Sequence, residues 1–171
     1  MRKEKVQRVI FSALFSALIC VATMVVKIPT PFHGYVNLGD CIVLLAAWSL
    51  PMGYGFLSAG LGSALADLLS GYVAYAPATF IIKGIMVVVV NVVMKLCNSE
   101  KKYFTKGLAG SIAEVVMVAG YYIFEGVIYG FKASVVNILP NVFQGICSLL
   151  LAVLIAGVLE KYKFEKLVLK R

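Results

Sequence analysis

Charge is scarce in this chain. Asp, Glu, Lys and Arg make up only 14% of its 171 residues, against 61% apolar residues and a mean hydropathy of +0.95. A soluble domain carries about a quarter charged residues. A soluble fold of this size could not bury so much apolar surface. The shortage excludes a soluble globular domain, a disordered chain and a nucleic-acid module of the usual kind. Histidine is nearly absent too, with His33 alone. The four cysteines, Cys20, Cys41, Cys97 and Cys147, form no CxxC and have no histidine at metal spacing. They read as small apolar residues in helices, with no metal site. No GxxxxGK[ST], HExxH or GxSxG occurs, so the chain has no P-loop for ATP and offers no enzymatic motif. Internal repeats and low-complexity tracts are also missing, so an inverted-repeat transporter gains no support.

What is present is a series of long apolar runs. Residues 9–26 form an 18-residue uncharged run after a basic start. That is long for a signal-peptide core, and no small-x-small cleavage site follows, so it reads as a first helix. Residues 41–66 and 133–159 are uncharged, 78–94 contain one Lys, and 108–130 contain two Glu. Thirteen of the sixteen Lys and Arg fall in three clusters: Arg2, Lys3, Lys5 and Arg8; Lys95, Lys101, Lys102 and Lys106; and Lys161, Lys163, Lys166, Lys170 and Arg171. Each abuts an apolar run, as cytoplasmic membrane flanks do, so the net charge of +8 points to lipid phosphate rather than nucleic acid.

The run 41–66 decides the topology. Broken at Pro51-Met52-Gly53, it gives an all-α, six-helix transmembrane bundle with all three basic clusters on the cytoplasmic side, both termini included. The expected helices of this single domain are about 7–27, 40–50, 54–70, 77–97, 107–130 and 137–160. The second is a difficulty: ten residues make ~15 Å and cannot cross a ~30 Å core without thinning, tilt or protein cover. The segments 28–39, 71–77 and 131–136 are expected as outer loops.

A charge in the apolar core costs about 2.5 kcal/mol or more, so each marks a candidate site. Asp40, Asp67, Lys83, Glu114 and Glu125 qualify, and the topology puts all but Glu114 in the outer half. Glu114, Tyr121 and Glu125 share one stripe of the fifth helix. Asn137, Asn141, Gln144 and Ser148 share one on the sixth. Such stripes belong against protein or a wet cavity. Simpler roles compete with ligand binding. Asp40 would cap the second helix and Asn137 the sixth. Lys83 would pair with Asp67 or Glu125, the amide stripe would bond helix to helix, Glu114 would be a structural carboxyl, and His33 a loop residue. Yet the outer loops add Tyr35, Asn37, Tyr72 and Tyr75 on the same side, and an outward-facing pocket explains these jointly. Four carboxylates against one Lys disfavour an anionic guest. The expected guest is a small neutral or cationic ring, stacked on Tyr and held by Asn and Gln.

Small residues line other faces: Ala13 and Ala17 on the first helix, Gly55, Ala59 and Ser63 on the third, with Gly60 and Ala64 beside them. They permit close helix approach in lipid.

The runs Tyr35-Val36-Asn37-Leu38-Gly39-Asp40, Gly60-Leu61-Gly62-Ser63-Ala64-Leu65-Ala66-Asp67, Gly71-Tyr72 through Tyr75-Ala76-Pro77, and Ile82-Lys83-Gly84 resemble the substrate-binding S components of energy-coupling factor (ECF) vitamin transporters. The riboflavin-type or hydroxymethylpyrimidine-type group is the nearest in look. Ala13-Leu14-Phe15-Ser16-Ala17 matches that family's AxxxA. The resemblance covers the whole chain in length and span count, with its specific motifs in 13–84. It implies a multi-pass S component of the bacterial cytoplasmic membrane, without cofactor or ATPase activity. Such a component captures a vitamin or precursor from outside and docks, through Ala13 and Ala17, on a transmembrane T component driven by two cytoplasmic ATPases. It further implies a site on the outer loop and the last three helices: Asn37, Tyr75, Lys83, Glu114, Tyr121, Glu125, Asn137, Asn141 and Gln144. Hydroxymethylpyrimidine, pyridoxine-like compounds and riboflavin all stay open as guests, the small rings being preferred. A stand-alone proton-coupled carrier using Glu114 or Glu125, and a ligand-free membrane scaffold, are the competing classes.

Overall fold

The computed structural model describes residues 2–29, 35–97 and 102–162. His33, Lys101 and the basic tail Lys163, Lys166, Lys170 and Arg171 lie outside the described residues. The elements in chain order are α1 (Arg2–Val25), β1 (Lys27–Pro29), β2 (Tyr35–Asn37), α2 (Gly39–Ser49), α3 (Met52–Leu69), α4 (Ala76–Cys97), α5 (Lys102–Tyr129), α6 (Phe131–Ser134), a single 3-10 turn (Val135–Asn137) and α7 (Ile138–Lys161). Four helical stretches, Lys3–Val25, Ala76–Cys97, Tyr103–Tyr129 and Phe131–Lys161, are long and apolar enough to cross a membrane.

The chain is mostly helical, consistent with the all-α expectation, and the structure adds one detail to it. Part of the first outer loop is an antiparallel ribbon pairing Lys27 with Asn37, Ile28 with Val36 and Pro29 with Tyr35. Two three-residue strands carry too little pattern to register in the sequence, and a proline at an edge suits them. The third loop is likewise folded, as α6 and the 3-10 turn. At its other end α5 begins at Lys102, about a turn earlier than expected, and takes in Lys106.

The short second helix resolves by protein cover. Ten of the eleven residues of α2 are buried, and α1, α3, α4 and α7 all pack on it. Val43, Leu44 and Ala46 have no exposed surface, and Met86, Val87, Met117 and Ala152 complete the core around them. Leu50 is extended (ψ 153°) before Pro51, as a residue preceding proline must be, so the chain reverses there into α3.

Helices α1 and α3 meet through small polar residues. Ser12 Oγ donates to Tyr54 O at 3.1 Å, Ser16 Oγ donates to Ser58 O at 3.0 Å, and the hydroxyls of Ser12 and Ser58 lie 2.7 Å apart. Gly62 makes this approach feasible, because a Cβ there would fall 2.9 Å from Ile19 Cβ. The opposite face of α1, with Leu14, Leu18 and Val21, is exposed, and Ala13 and Ala17 lie on that exposed side.

The hydrogen bonds define two ends of the bundle. At one, Lys106 near the start of α5 donates to Glu160 near the end of α7 at 2.5 Å and lies 5.8 Å from the Trp48 ring at the end of α2. The described members of the basic clusters flank this end. The polar residues of α3, α4, α5 and α7 gather at the other.

Replacing Gly62 by Leu overpacks the α1–α3 contact and is expected to cost about 1–3 kcal/mol. Gly53, with open space where a Cβ would stand, should accept Ala with an unchanged melting temperature. Thermal unfolding of the purified variants in detergent measures both.

Candidate functional site

The turn after α3 and the ribbon after α1 both reach the end opposite the basic residues. Gly71 adopts φ +84°, a conformation that L side chains avoid, and so turns the chain from α3 into α4 beneath Tyr72 and Tyr75. On β2, Tyr35 and Asn37 are two residues apart and therefore share a face. That face meets a pocket lined by Thr23 of α1, Tyr35 and Asn37 of β2, Ser63 and Asp67 of α3, Tyr75, Thr79 and Lys83 of α4, Tyr121 and Glu125 of α5, and Asn141 and Gln144 of α7. Its free volume is about 30 Å³, room for a couple of water molecules.

The floor is a charge-assisted network. Lys83 Nζ pairs with Asp40 Oδ1, both residues being buried. Gln144 Nε2 donates to Asp40 Oδ2 at 2.6 Å, and Gln144 Oε1 accepts from the Asn37 backbone N at 2.7 Å. Asn37 Oδ1 accepts from Gly39 N at 2.8 Å. The chain Lys83–Asp40–Gln144–Asn37 thus ties α4, α2, α7 and the ribbon together. Asp40 does not cap α2 with its side chain; it meets Lys83, which sequence reasoning paired with Asp67 or Glu125.

The walls are hydroxyls and carboxylates. Tyr35 Oη donates to Asp67 Oδ1 at 2.5 Å. Burial, with the Asp67 charge beside it, pushes the Tyr35 phenol up and keeps it a donor. Tyr75 Oη donates to Glu125 Oε1 at 3.3 Å, Asn137 Nδ2 donates to Glu125 Oε2 at 2.9 Å, and Thr79 and Tyr121 hydroxyls lie 3.1 Å apart. The Lys83 ammonium stands 5.2 Å from the Tyr121 ring centroid. At the mouth, Tyr35 and Tyr72 rings are 4.7 Å apart, Tyr72 and Tyr75 6.3 Å, and Tyr75 and Phe124 5.1 Å. Lys27 closes the rim by donating to Ser70 Oγ at 2.7 Å. Two buried acceptors on the wall, Asp67 Oδ2 and Ser63 Oγ, make no hydrogen bond within the described residues.

Of the nine expected site residues, the pocket brings together Asn37, Tyr75, Lys83, Tyr121, Glu125, Asn141 and Gln144. Asn137 stands behind the wall, in the 3-10 turn, and orients Glu125 instead of lining the space; nor does its side chain cap α7. Glu114 is the clear departure. It shares the stripe of Tyr121 and Glu125, but seven residues below Tyr121 place it ~10 Å deeper along α5. It faces a separate cleft between α5 and α7. Thr23, Ser63 and Thr79 were missed. Thr23 continues the buried face Phe15-Ile19 at four-residue spacing, and Thr79 is one turn from Lys83, so both carried a periodic signal.

Fold and site together define a membrane-type helical bundle with a polar, aromatic-rimmed pocket at the end away from its basic flanks. Residues 3–161 match the model of the family described as "ECF-type riboflavin transporter, S component". The chain belongs to that family, whose members are membrane-embedded, non-enzymatic substrate-binding subunits of transporters. A protein of Pyrococcus woesei, described as "Uncharacterized protein in gap 3'region", is 32% identical over 144 residues, covering 84% of this chain and 95% of the relative. A solved structure described as "Structure and mechanism of the S component of a bacterial ECF transporter" shares the fold, with a TM-score of 0.70 at 22% identity over 92% of this chain and 98% of the other.

The floor network predicts strong asymmetry between single and double substitutions. Lys83→Met leaves the Asp40 carboxylate buried and unpaired and should cost about 3–5 kcal/mol. The double variant Lys83→Met/Asp40→Asn should recover most of that loss. Melting temperatures of the four proteins in one detergent complete the cycle.

Proposed function

We propose that this chain captures a small, neutral or cationic nitrogen-containing ring, a vitamin or vitamin precursor of the hydroxymethylpyrimidine or pyridoxine type, from outside the cell. The membership in the S-component family supports vitamin uptake; the choice of guest follows from the pocket. One observation carries it. Among the described lining residues the one cation, Lys83, is already paired with Asp40, while Asp67 and Glu125 remain on the wall. An anionic guest would face the Asp67 and Glu125 carboxyls with no unpaired lysine among the described lining residues to receive it. A ring with donor edges would find Asp67 Oδ2 and Ser63 Oγ unpartnered, Asn141 and Gln144 to hydrogen-bond, and Tyr121 to stack on. The site residues proposed are therefore Asn37, Tyr75, Lys83, Tyr121, Glu125, Asn141 and Gln144, with Tyr35, Asp67 and Thr79 added and Asn137 in support.

In the same reading the chain crosses the cell membrane six times with both termini inside, which puts the pocket outside and the basic end in the cytoplasm. No cofactor is needed on this chain. A transmembrane T component receives it on the exposed α1 face of Ala13 and Ala17, and two ATPases supply the energy. A second reading, riboflavin as guest, is favoured by the description of the matching family; its larger ring system demands a wider opening of the Tyr35–Tyr72–Tyr75 mouth.

Isothermal titration of the purified chain with hydroxymethylpyrimidine, pyridoxine, riboflavin and an anionic vitamin is the test. Saturable binding of a small neutral ring, weakened tenfold or more by Gln144→Leu through loss of a buried charge-linked hydrogen bond (about 1.5–3 kcal/mol), is expected. Binding of the anionic compound alone would refute the electrostatic argument, and riboflavin binding alone would select the second reading. Ala13→Trp and Ala17→Trp should leave that binding intact and abolish ATP-driven uptake in cells; normal uptake in both would remove the docking surface.

A further inference from the structure

Glu114 faces a cleft that the vitamin pocket does not use. Helices α5 and α7 part there, leaving a free volume of about 450 Å³, within the usual range for small-molecule sites, ~300–1,000 Å³. The walls are apolar: Val115, Val118, Val142, Ile146 and Leu149. Val115 and Ile146 are exposed, so the cleft opens on the outer face of the bundle, where a membrane-embedded chain meets lipid tails. Ser111 is on the rim, but its hydroxyl donates to Gly107 O at 2.9 Å in its own helix. Gly145 gives the Glu114 side chain room at the base: a Cβ there would stand 3.1 Å from both Glu114 Cβ and Oε2.

At that base Glu114 is only 6% exposed, and neither of its carboxyl oxygens has a hydrogen-bond partner among the described residues. The titratable neighbours that act on it through space are Asp40 and Lys83, and these are already spent on each other. Leaving two carboxyl oxygens unmet in an apolar wall is costly. Whatever fills the cleft should bring an apolar body and more than one hydrogen-bond donor. An alcohol offers one donor and an ammonium three.

We infer that the α5–α7 cleft is a second binding site, taking a membrane-dissolved amphiphilic amine whose nitrogen reaches Glu114 and whose hydrocarbon lies between Val115 and Ile146. The ammonium–carboxylate pair forms in a low-dielectric setting, where charge-assisted hydrogen bonds are strongest. This site is independent of the vitamin assigned to the polar pocket.

The test uses the full chain in phosphatidylcholine nanodiscs and a long-chain alkyl amine bearing a diazirine, with the matching alcohol as control. After illumination, mass spectrometry maps the labelled residues. Saturable amine labelling confined to 111–122 and 138–149 is expected. Glu114→Gln should weaken it about tenfold by removing the charge-assisted bond. Because Glu114→Gln disturbs a buried neighbour of Asp40, a second variant, Ala119→Phe, fills the cleft from its exposed rim, and it should abolish labelling without changing the melting temperature. Equal labelling by the alcohol, or labelling indifferent to Ala119→Phe, overturns the assignment. So does cross-linking between copies of the chain through Val115 and Ile146, which would make the cleft a contact face.

Discussion

The ion pair between Lys83 and Asp40 governs the pocket half of this molecule. Either charge alone would be costly at that depth, so each residue requires the other. The pair also fixes position. Asp40 stands in the first turn of α2, Lys83 two turns into α4, and Gln144 bridges from α7 to the second Asp40 oxygen. Gln144 then holds the backbone of the ribbon through Asn37. Four segments distant in sequence are thereby registered at one level. The pocket floor inherits a property from this arrangement: it is polar but locally neutral. Selection by charge therefore passes to the walls, where carboxylates and hydroxyls predominate.

The two ends of the bundle solve different problems. At the basic end, Lys106 is buried against Glu160 and Trp48, which locks α5, α7 and α2 together. At the other end the chain spends its tyrosines on a rim. Tyr35, Tyr72 and Tyr75 touch edge to face or tilted, arrangements worth about 0.5–1.5 kcal/mol each. Contacts of that size hold a mouth shut without sealing it. The short α2 belongs to both ends, running from Asp40 beneath the pocket to Trp48 beside Lys106. Because other helices sheathe it, it need not match the thickness of a bilayer.

Much of this was legible in the residues. Long apolar runs betray helices because a helix satisfies its whole backbone within one continuous run, and the break at Pro51 was readable because a residue before proline leaves the helical region. The inward stripe Asn141–Gln144 and the pocket members Lys83, Tyr121 and Glu125 were readable because a polar group in such a chain needs protein around it. Depth was harder to read than direction. Periodicity put Glu114 on the right face but could not say that the pocket floor, set by Asp40 and Gln144, ends above it. Partner choice was harder still. Lys83 met Asp40 rather than Asp67 or Glu125 because the burial of α2 brings its first turn up against α4, and sequence spacing within one helix carries no trace of that. The β ribbon was too short to show an alternating pattern.

The pocket is nearly filled by its own side chains, and that bears on how it would select. Most of its polar atoms already have partners: Tyr35 with Asp67, Tyr75 with Glu125, Thr79 with Tyr121. A guest that merely replaces those bonds gains little, since one hydrogen bond is exchanged for another. The gain must come from atoms left unmet among the described residues, Asp67 Oδ2 and Ser63 Oγ, and from ring stacking. Both unmet atoms lie on α3, and Tyr121 of α5 lines the same pocket. A planar ring with a donor on the edge facing α3 and a π-face toward Tyr121 would collect both gains at once, whereas an aliphatic guest would collect only the first. In the proposed reading, what is unsatisfied thus favours a guest that brings hydrogen-bond donors to α3.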